Sequence, residues 1–115
     1  MEIITLKQEP IQTVNVTLYQ QDVSIKLYQM PSMMYIDVTS DGKVLVLGIP
    51  CASFTKLIRY SYLGFQGDLF FVDYDSTAKP IETVMLNGVE INTEAPNFSQ
   101  LGTRFDLYYV SPDDM

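Results

Sequence analysis

Reactive side chains are scarce in this 115-residue chain. It has no histidine and one cysteine, Cys51. Without histidine there is no Ser-His-Asp or Cys-His arrangement and none of the usual zinc sites. A single cysteine can build neither a thiolate cage nor an internal disulfide, which suits a reducing compartment. Cys51 is expected to be a small buried apolar residue. The six glycines, Gly42, Gly48, Gly64, Gly67, Gly88 and Gly102, match neither nucleotide-binding pattern. Cofactors and metals are therefore not expected.

Carboxylates are the remaining route to chemistry. Asp73-Tyr74-Asp75 is the best calcium candidate. An EF-hand loop counted from Asp73 would need Gly at its sixth position and Glu at its twelfth. Those positions hold Ala78 and Val84, so a solvated turn after a strand is the plainer reading. A glycosidase pair such as Asp37 with Asp73 meets the two-carboxylate requirement, but any acidic chain offers many such pairs. The sequence predicts no enzyme.

Aromatic residues offer a different kind of site. There are 8 Tyr and 6 Phe and no Trp. Residues 59–65 are the densest stretch, with Arg59, Tyr60, Tyr62, Leu63 and Phe65. Tyr and Arg join large contact area to a polar end, and they are enriched at interface hot spots. This stretch is the candidate partner interface. A sugar platform could use the same residues, and most aromatics are expected to fill the core or brace a sheet.

These groups must be positioned by strands. Residues 13–19 place Val14, Val16 and Leu18 on one face and Asn15, Thr17 and Tyr19 on the other. Residues 22–28 repeat the pattern with Val23, Ile25 and Leu27. Period-two alternation marks half-buried strands, and the short connection at Gln20 and Gln21 predicts a hairpin. Residues 34–39 and 43–49 flank an Asp41-Gly42 turn. The continuous apolar run from Val44 to Leu47 predicts a strand covered on both faces at the centre of the fold. Residues 56–65 read as strand or short helix. Residues 68–73 read as strand, 75–80 as loop, and 82–86 with 89–91 as a hairpin across Asn87-Gly88. A long loop over 92–103 and a last strand over 105–110 follow. The prediction is all-β: an antiparallel sandwich or small barrel of about 8–9 short strands. Residues 1–110 are expected to form one domain, with 111–115 a flexible tail.

Charge narrows the partners. The net charge is −7, from 14 acidic and 7 basic residues. The basic residues are scattered, and only Lys56 and Arg59 lie close in sequence. Phosphate recognition needs clustered cations, so neither nucleic acid nor an anionic membrane is expected. No signal peptide or spanning segment is read from the sequence, which predicts a protein soluble in the cytoplasm when made.

With the elements in order, the chain resembles the baseplate plug proteins of contractile-tailed phages of the cyanophage type. The resemblance runs over residues 1–110. It opens with Ile3-Ile4-Thr5-Leu6 and Glu9-Pro10-Ile11-Gln12-Thr13-Val14, then Val23-Ser24-Ile25-Lys26-Leu27-Tyr28. It continues through Met34-Tyr35-Ile36-Asp37-Val38, Asp41-Gly42 and Leu47-Gly48-Ile49-Pro50. It closes with Arg59-Tyr60, Gly67-Asp68-Leu69-Phe70-Phe71-Val72 and Arg104-Phe105-Asp106-Leu107-Tyr108-Tyr109. Family members tend to carry Trp where Met34 stands, and Met keeps that position apolar. The resemblance implies a structural component of the virion tail, made in the host cytoplasm and packed at the central hub of the baseplate. Its implied partners are other tail proteins: hub, spike or tube. The alternative is a small carbohydrate-binding or host-recognition β module.

Overall fold

The computed structural model describes residues 2–31, 33–54, 56–58, 65–75, 83–86, 89–92 and 95–114; for 83–86, 89–92 and 114 it describes the backbone alone. Nine strands are present among these residues. In chain order they are β1 (Glu2–Ile4), β2 (Ile11–Leu18), β3 (Gln21–Gln29), β4 (Met34–Ser40), β5 (Lys43–Pro50), β6 (Asp68–Asp73), β7 (Thr83–Leu86), β8 (Val89–Asn92) and β9 (Phe105–Val110). Phe98–Gln100 and Pro112–Asp114 are 3-10 turns. All strand pairs are antiparallel.

Four consecutive strands form a meander in the order β2-β3-β4-β5. The alternation of the sequence appears directly in β3 and β4. Val23, Ile25 and Leu27 face inward beside Met34, Ile36 and Val38, and all six are at most 2% exposed. The opposite rows, including Lys26, Tyr28, Tyr35 and Asp37, face outward. The second sheet is ordered β1-β9-β6 and joins the two ends of the chain. Leu69, Phe71, Phe105 and Leu107 point from it into the same core, each fully buried. Each such side chain contributes about 1.5–3 kcal/mol by leaving water. The result is an open sandwich of two sheets around one core, not a closed barrel. β7 and β8 make a separate two-stranded hairpin with Leu86 opposite Val89. The Asn87-Gly88 turn expected between them lies outside the described residues, as does the 75–80 loop beyond Asp75.

Two expectations are corrected. The run Val44 to Leu47 is not central: β5 is an edge strand of the meander. Val44 is 53% and Leu47 66% exposed, while Leu45 alone is deeply buried. The strand that follows in sequence, β6, pairs with β9 instead, so nothing among the described strands covers the far side of β5. Its apolar run is spread around a distorted backbone. Residues 43–50 lie against residues 35–40, so β5 carries two extra residues, with irregularities beside Val38. Extra residues of this kind are β-bulges, which twist a strand and re-aim its side chains. Pro50 ends β5 opposite Tyr35.

The first hairpin turn is also displaced by one residue. Leu18 pairs with Gln21, and Tyr19 and Gln20 form the connection with φ of 51° and 62°. Positive φ at both positions is the type I′ turn, whose twist matches that of the flanking strands. Asp41 and Gly42 meet the same requirement with φ of 50° and 78°. There the residue types announced the turn; at Tyr19-Gln20 they did not.

Candidate assembly surfaces

The aromatic stretch enters the described structure only at its end. Arg59, Tyr60, Tyr62 and Leu63 lie outside the described residues. Phe65 is 6% exposed and meets Tyr109 edge-on, with ring centroids 6.0 Å apart. Edge-to-face pairs of this kind add to simple burial. Tyr109 also donates a hydrogen bond from its hydroxyl to the Gln66 carbonyl. The stretch is thus rooted in the second sheet at Phe65. The backbone beyond it turns at Gly67 with φ of 97°.

The carboxylates singled out from the sequence are engaged in bracing. Asp73 closes a two-pronged pair with Arg104: Nε donates to Oδ1 at 2.8 Å and Nη2 to Oδ2 at 2.9 Å. Both side chains are 12% exposed. The Arg104 guanidinium, chiefly through this hydrogen bonding, holds the Asp73 carboxyl below the usual range for Asp. The same guanidinium lies 4.9 Å from the Phe105 ring centroid. The Asp75 amide donates to Asp73 as well, at 2.9 Å. The segment reads as a locked strand end rather than a solvated turn. Asp37 stands on the other sheet. Its Oδ1 accepts from the Tyr28 hydroxyl at 3.1 Å and from the Gly48 amide at 2.7 Å. Asp68, 3% exposed, accepts from the Ile58 and Leu69 amides at 2.8 and 2.7 Å. Sequence reasoning missed both of these roles. Gly48, with φ of 64°, marks the first, because a bulge there turns its amide toward Asp37.

Cys51 is fully buried, and burial pushes its thiol well above the ordinary range. It is unsuited to act as a nucleophile at neutral pH. Among the described residues, no group of three or more His, Cys, Asp or Glu could hold a metal ion. Among them too, no helix is long and apolar enough to cross a membrane. A shallow depression of about 440 Å³ lies over Asn15, Thr17, Asp22, Ser24 and Thr39. Asp22 is the single carboxylate among its lining residues.

The sheets' outer faces carry aromatic pairs that sequence spacing alone did not connect. Tyr28 and Tyr35 are directly opposed and stack at 6.1 Å, with Lys26 5.7 Å from the Tyr28 ring. Ile11 extends this row on β2 and Pro50 on β5. Burial, helped by the bond to Asp37, raises the Tyr28 pKa and keeps the hydroxyl a donor. On the other sheet, Phe70 and Tyr108 stack at 5.9 Å. Tyr74, 51% exposed, donates to Asp106 at 2.7 Å and shares a hydrogen bond with Tyr108. These bonds, Tyr108 first and then Asp106, push the Tyr74 phenol upward. Ile3, Ile11, Leu47 and Phe54 are each more than half exposed.

The structure is an open sandwich whose candidate acids brace its own strands. The family described as cyanophage baseplate Pam3 plug gp18 matches residues 1–112 of the 115. The chain belongs to this cyanophage baseplate plug family, which supports a structural role in a baseplate. No curated protein matches the chain.

Proposed function

We propose that this protein is a non-enzymatic plug that closes or braces the central hub of a phage tail baseplate by packing against other tail proteins. The observation that carries this reading is the family match over residues 1–112. The chemistry of the described residues supports it. The acids that could have formed a reaction centre, Asp37, Asp68 and Asp73, are each bonded to a neighbour that holds the fold. In this reading the protein resides in the virion tail after synthesis in the host cytoplasm. Arg59, Tyr60, Tyr62 and Leu63 contribute to the contact, anchored from within by Phe65.

Co-expression with the hub, spike and tube proteins of the same virus tests this. A stable complex that co-elutes on size exclusion is the expected result. A protein that joins none of them yet is retained by an immobilised glycan would overturn the reading in favour of a host-recognition module.

A further inference from the structure

We infer that the far edge of β2 is the docking edge of this protein, and that it takes up an extended strand of a neighbouring baseplate protein. The inference rests on the plug reading above and adds where and how contact is made.

The two sheets that enclose the core have four outer edges, and three are guarded. β1 is only three residues long and begins at Glu2. The far side of β6 is occupied by Ser53, Phe54 and Leu57: Ser53 bridges Phe71, the Phe54 amide donates to the Phe71 carbonyl at 2.8 Å, and the Leu57 amide to the Leu69 carbonyl at 2.9 Å. β5 carries two extra residues, starts at Lys43 and ends at Pro50. Short length, cover, bulges, Lys and Pro are the devices by which natural sheets prevent edge pairing.

Among the described residues, β2 has no bulge, no Lys or Pro of its own and no strand paired to its far side. It runs Ile-Gln-Thr-Val-Asn-Val-Thr-Leu, with no charge, no Pro and no Gly. All eight residues pair one-to-one with β3, without a bulge. No strand among the described residues pairs with its far side.

Its hydrogen-bonding groups point the right way. Leu18 and Gln21 close a two-residue turn, and the Gln29 amide donates to the Pro10 carbonyl at 2.7 Å. Positions 10 and 18 therefore bond to β3, and the alternation of an antiparallel ladder assigns 12, 14 and 16 the same role. The N–H and C=O groups of Ile11, Thr13, Asn15 and Thr17 are directed away from the sheet. A groove of about 400 Å³ runs along this edge between Thr13 to Asn15 and the segment Thr5, Lys7 and Glu9. Its floor is held by Gln12, whose side chain accepts from the Lys7 amide at 3.0 Å and donates to the Lys7 carbonyl.

The surroundings set the chemistry of the occupant. Val14 and Val16 are half-buried on the core side and packed against the core. A strand added beside β2 would cover them with every second side chain, which calls for apolar residues at alternate positions. The intervening side chains would stand on the outer face beside Thr13, Asn15 and Thr17. A second copy of this chain is disfavoured, because it would set two bodies of charge −7 against each other. The partner strand is one that alternates apolar residues with polar ones, including Lys or Arg.

Hydrogen exchange on the co-expressed complex tests the inference. The amides of Thr13, Asn15 and Thr17 should exchange rapidly in the free protein and slow at least tenfold in the complex. Asn15→Pro removes an outward N–H without touching the β3 ladder, and edge strands tolerate such a proline. It should weaken the complex at least tenfold, whereas Val44→Lys on the guarded edge should leave it intact. A complex that forms normally with these amides unprotected would overturn the docking edge while leaving the plug reading standing. Absence of any complex with the wild-type protein would overturn both. Protection already present in the free protein, rising with its concentration, would replace the partner strand with a second copy.

Discussion

The two sheets of this sandwich are built from different kinds of information. The meander β2-β3-β4-β5 uses neighbours in sequence, and two of its three connections are two-residue turns, at Tyr19-Gln20 and Asp41-Gly42. The sheet β1-β9-β6 pairs residues 2–4 with 107–109, and 68–73 with 105–110. A meander forms from local contacts that close small loops, while the other sheet must close almost the whole chain first. The meander's stability therefore resides in repeated patterning. The second sheet depends on a few specific groups, among them Phe71 in its core and, at its ends, Gly67 and the Asp73–Arg104 pair.

The largest break in this comparison comes from the core of the second sheet. Phe71→Ala should cost about 3–5 kcal/mol, the range for emptying a fully buried aromatic site. Urea unfolding measures it; a loss below about 1 kcal/mol would mean the two sheets do not share a core. Gly67→Ala should follow closely. A Cβ there would collide with the Val110 carbonyl and sit 2.7 Å from the Tyr109 hydroxyl, on a backbone at φ of 97°. Strain and overpacking together should cost about 2–4 kcal/mol. Gly42, at φ of 78° with open space around it, is the matched control in the meander. Gly42→Ala should cost only the conformational penalty, about 1–2 kcal/mol. Equal losses at the two glycines would erase the distinction.

The Asp73–Arg104 pair supplies a pH signature. The Asp73 carboxyl titrates lower in the folded protein than when unfolded, so its contribution is fully present above the unfolded value of about 4. It fades as pH falls through the lower folded value. Asp73→Asn should therefore be destabilised by about 1–3 kcal/mol at pH 7, with a gap from wild type that closes below about pH 4. A gap constant from pH 7 to pH 2.5 would show that the carboxylate charge contributes nothing. The smallest effect belongs to the meander's unannounced turn. Gln20→Gly relieves a positive φ of 62° and should raise stability by about 0.5–1 kcal/mol, read as a higher melting temperature.

Much of this architecture was legible beforehand, for reasons that differ along the chain. β3 and β4 were plain because apolar and polar residues alternate without interruption and one face is buried. Asp41-Gly42 was plain because the residue types suit positive φ. Tyr19-Gln20 was not, since only the pairing of Leu18 with Gln21 forces those two residues into the turn. The run Val44 to Leu47 misleads because a continuous apolar stretch is also compatible with an edge strand whose backbone is bulged. Its two extra residues turn Val44 and Leu47 to solvent instead, and no composition signal marks that. The stretch proposed as an interface is legible only as a run of aromatic residues. The burial of Phe65 is visible only in the fold, and the edge strand β2 reads like any other half-buried strand.

Sequence by itself determined that this chain folds as β-structure, that it lacks the histidine, cysteine and glycine patterns of familiar reaction centres, and that it belongs with baseplate plugs. The first two follow from residue types and short-range periodicity, which the backbone geometry of a strand reads directly; the third rests on the likeness of the chain to the plug family. Only the tertiary structure decided which strands lie at edges, which edges are guarded, and that Arg104 meets Asp73 across 31 positions. Such facts depend on closure of long loops, where the free energy comes from the whole core rather than from any local run.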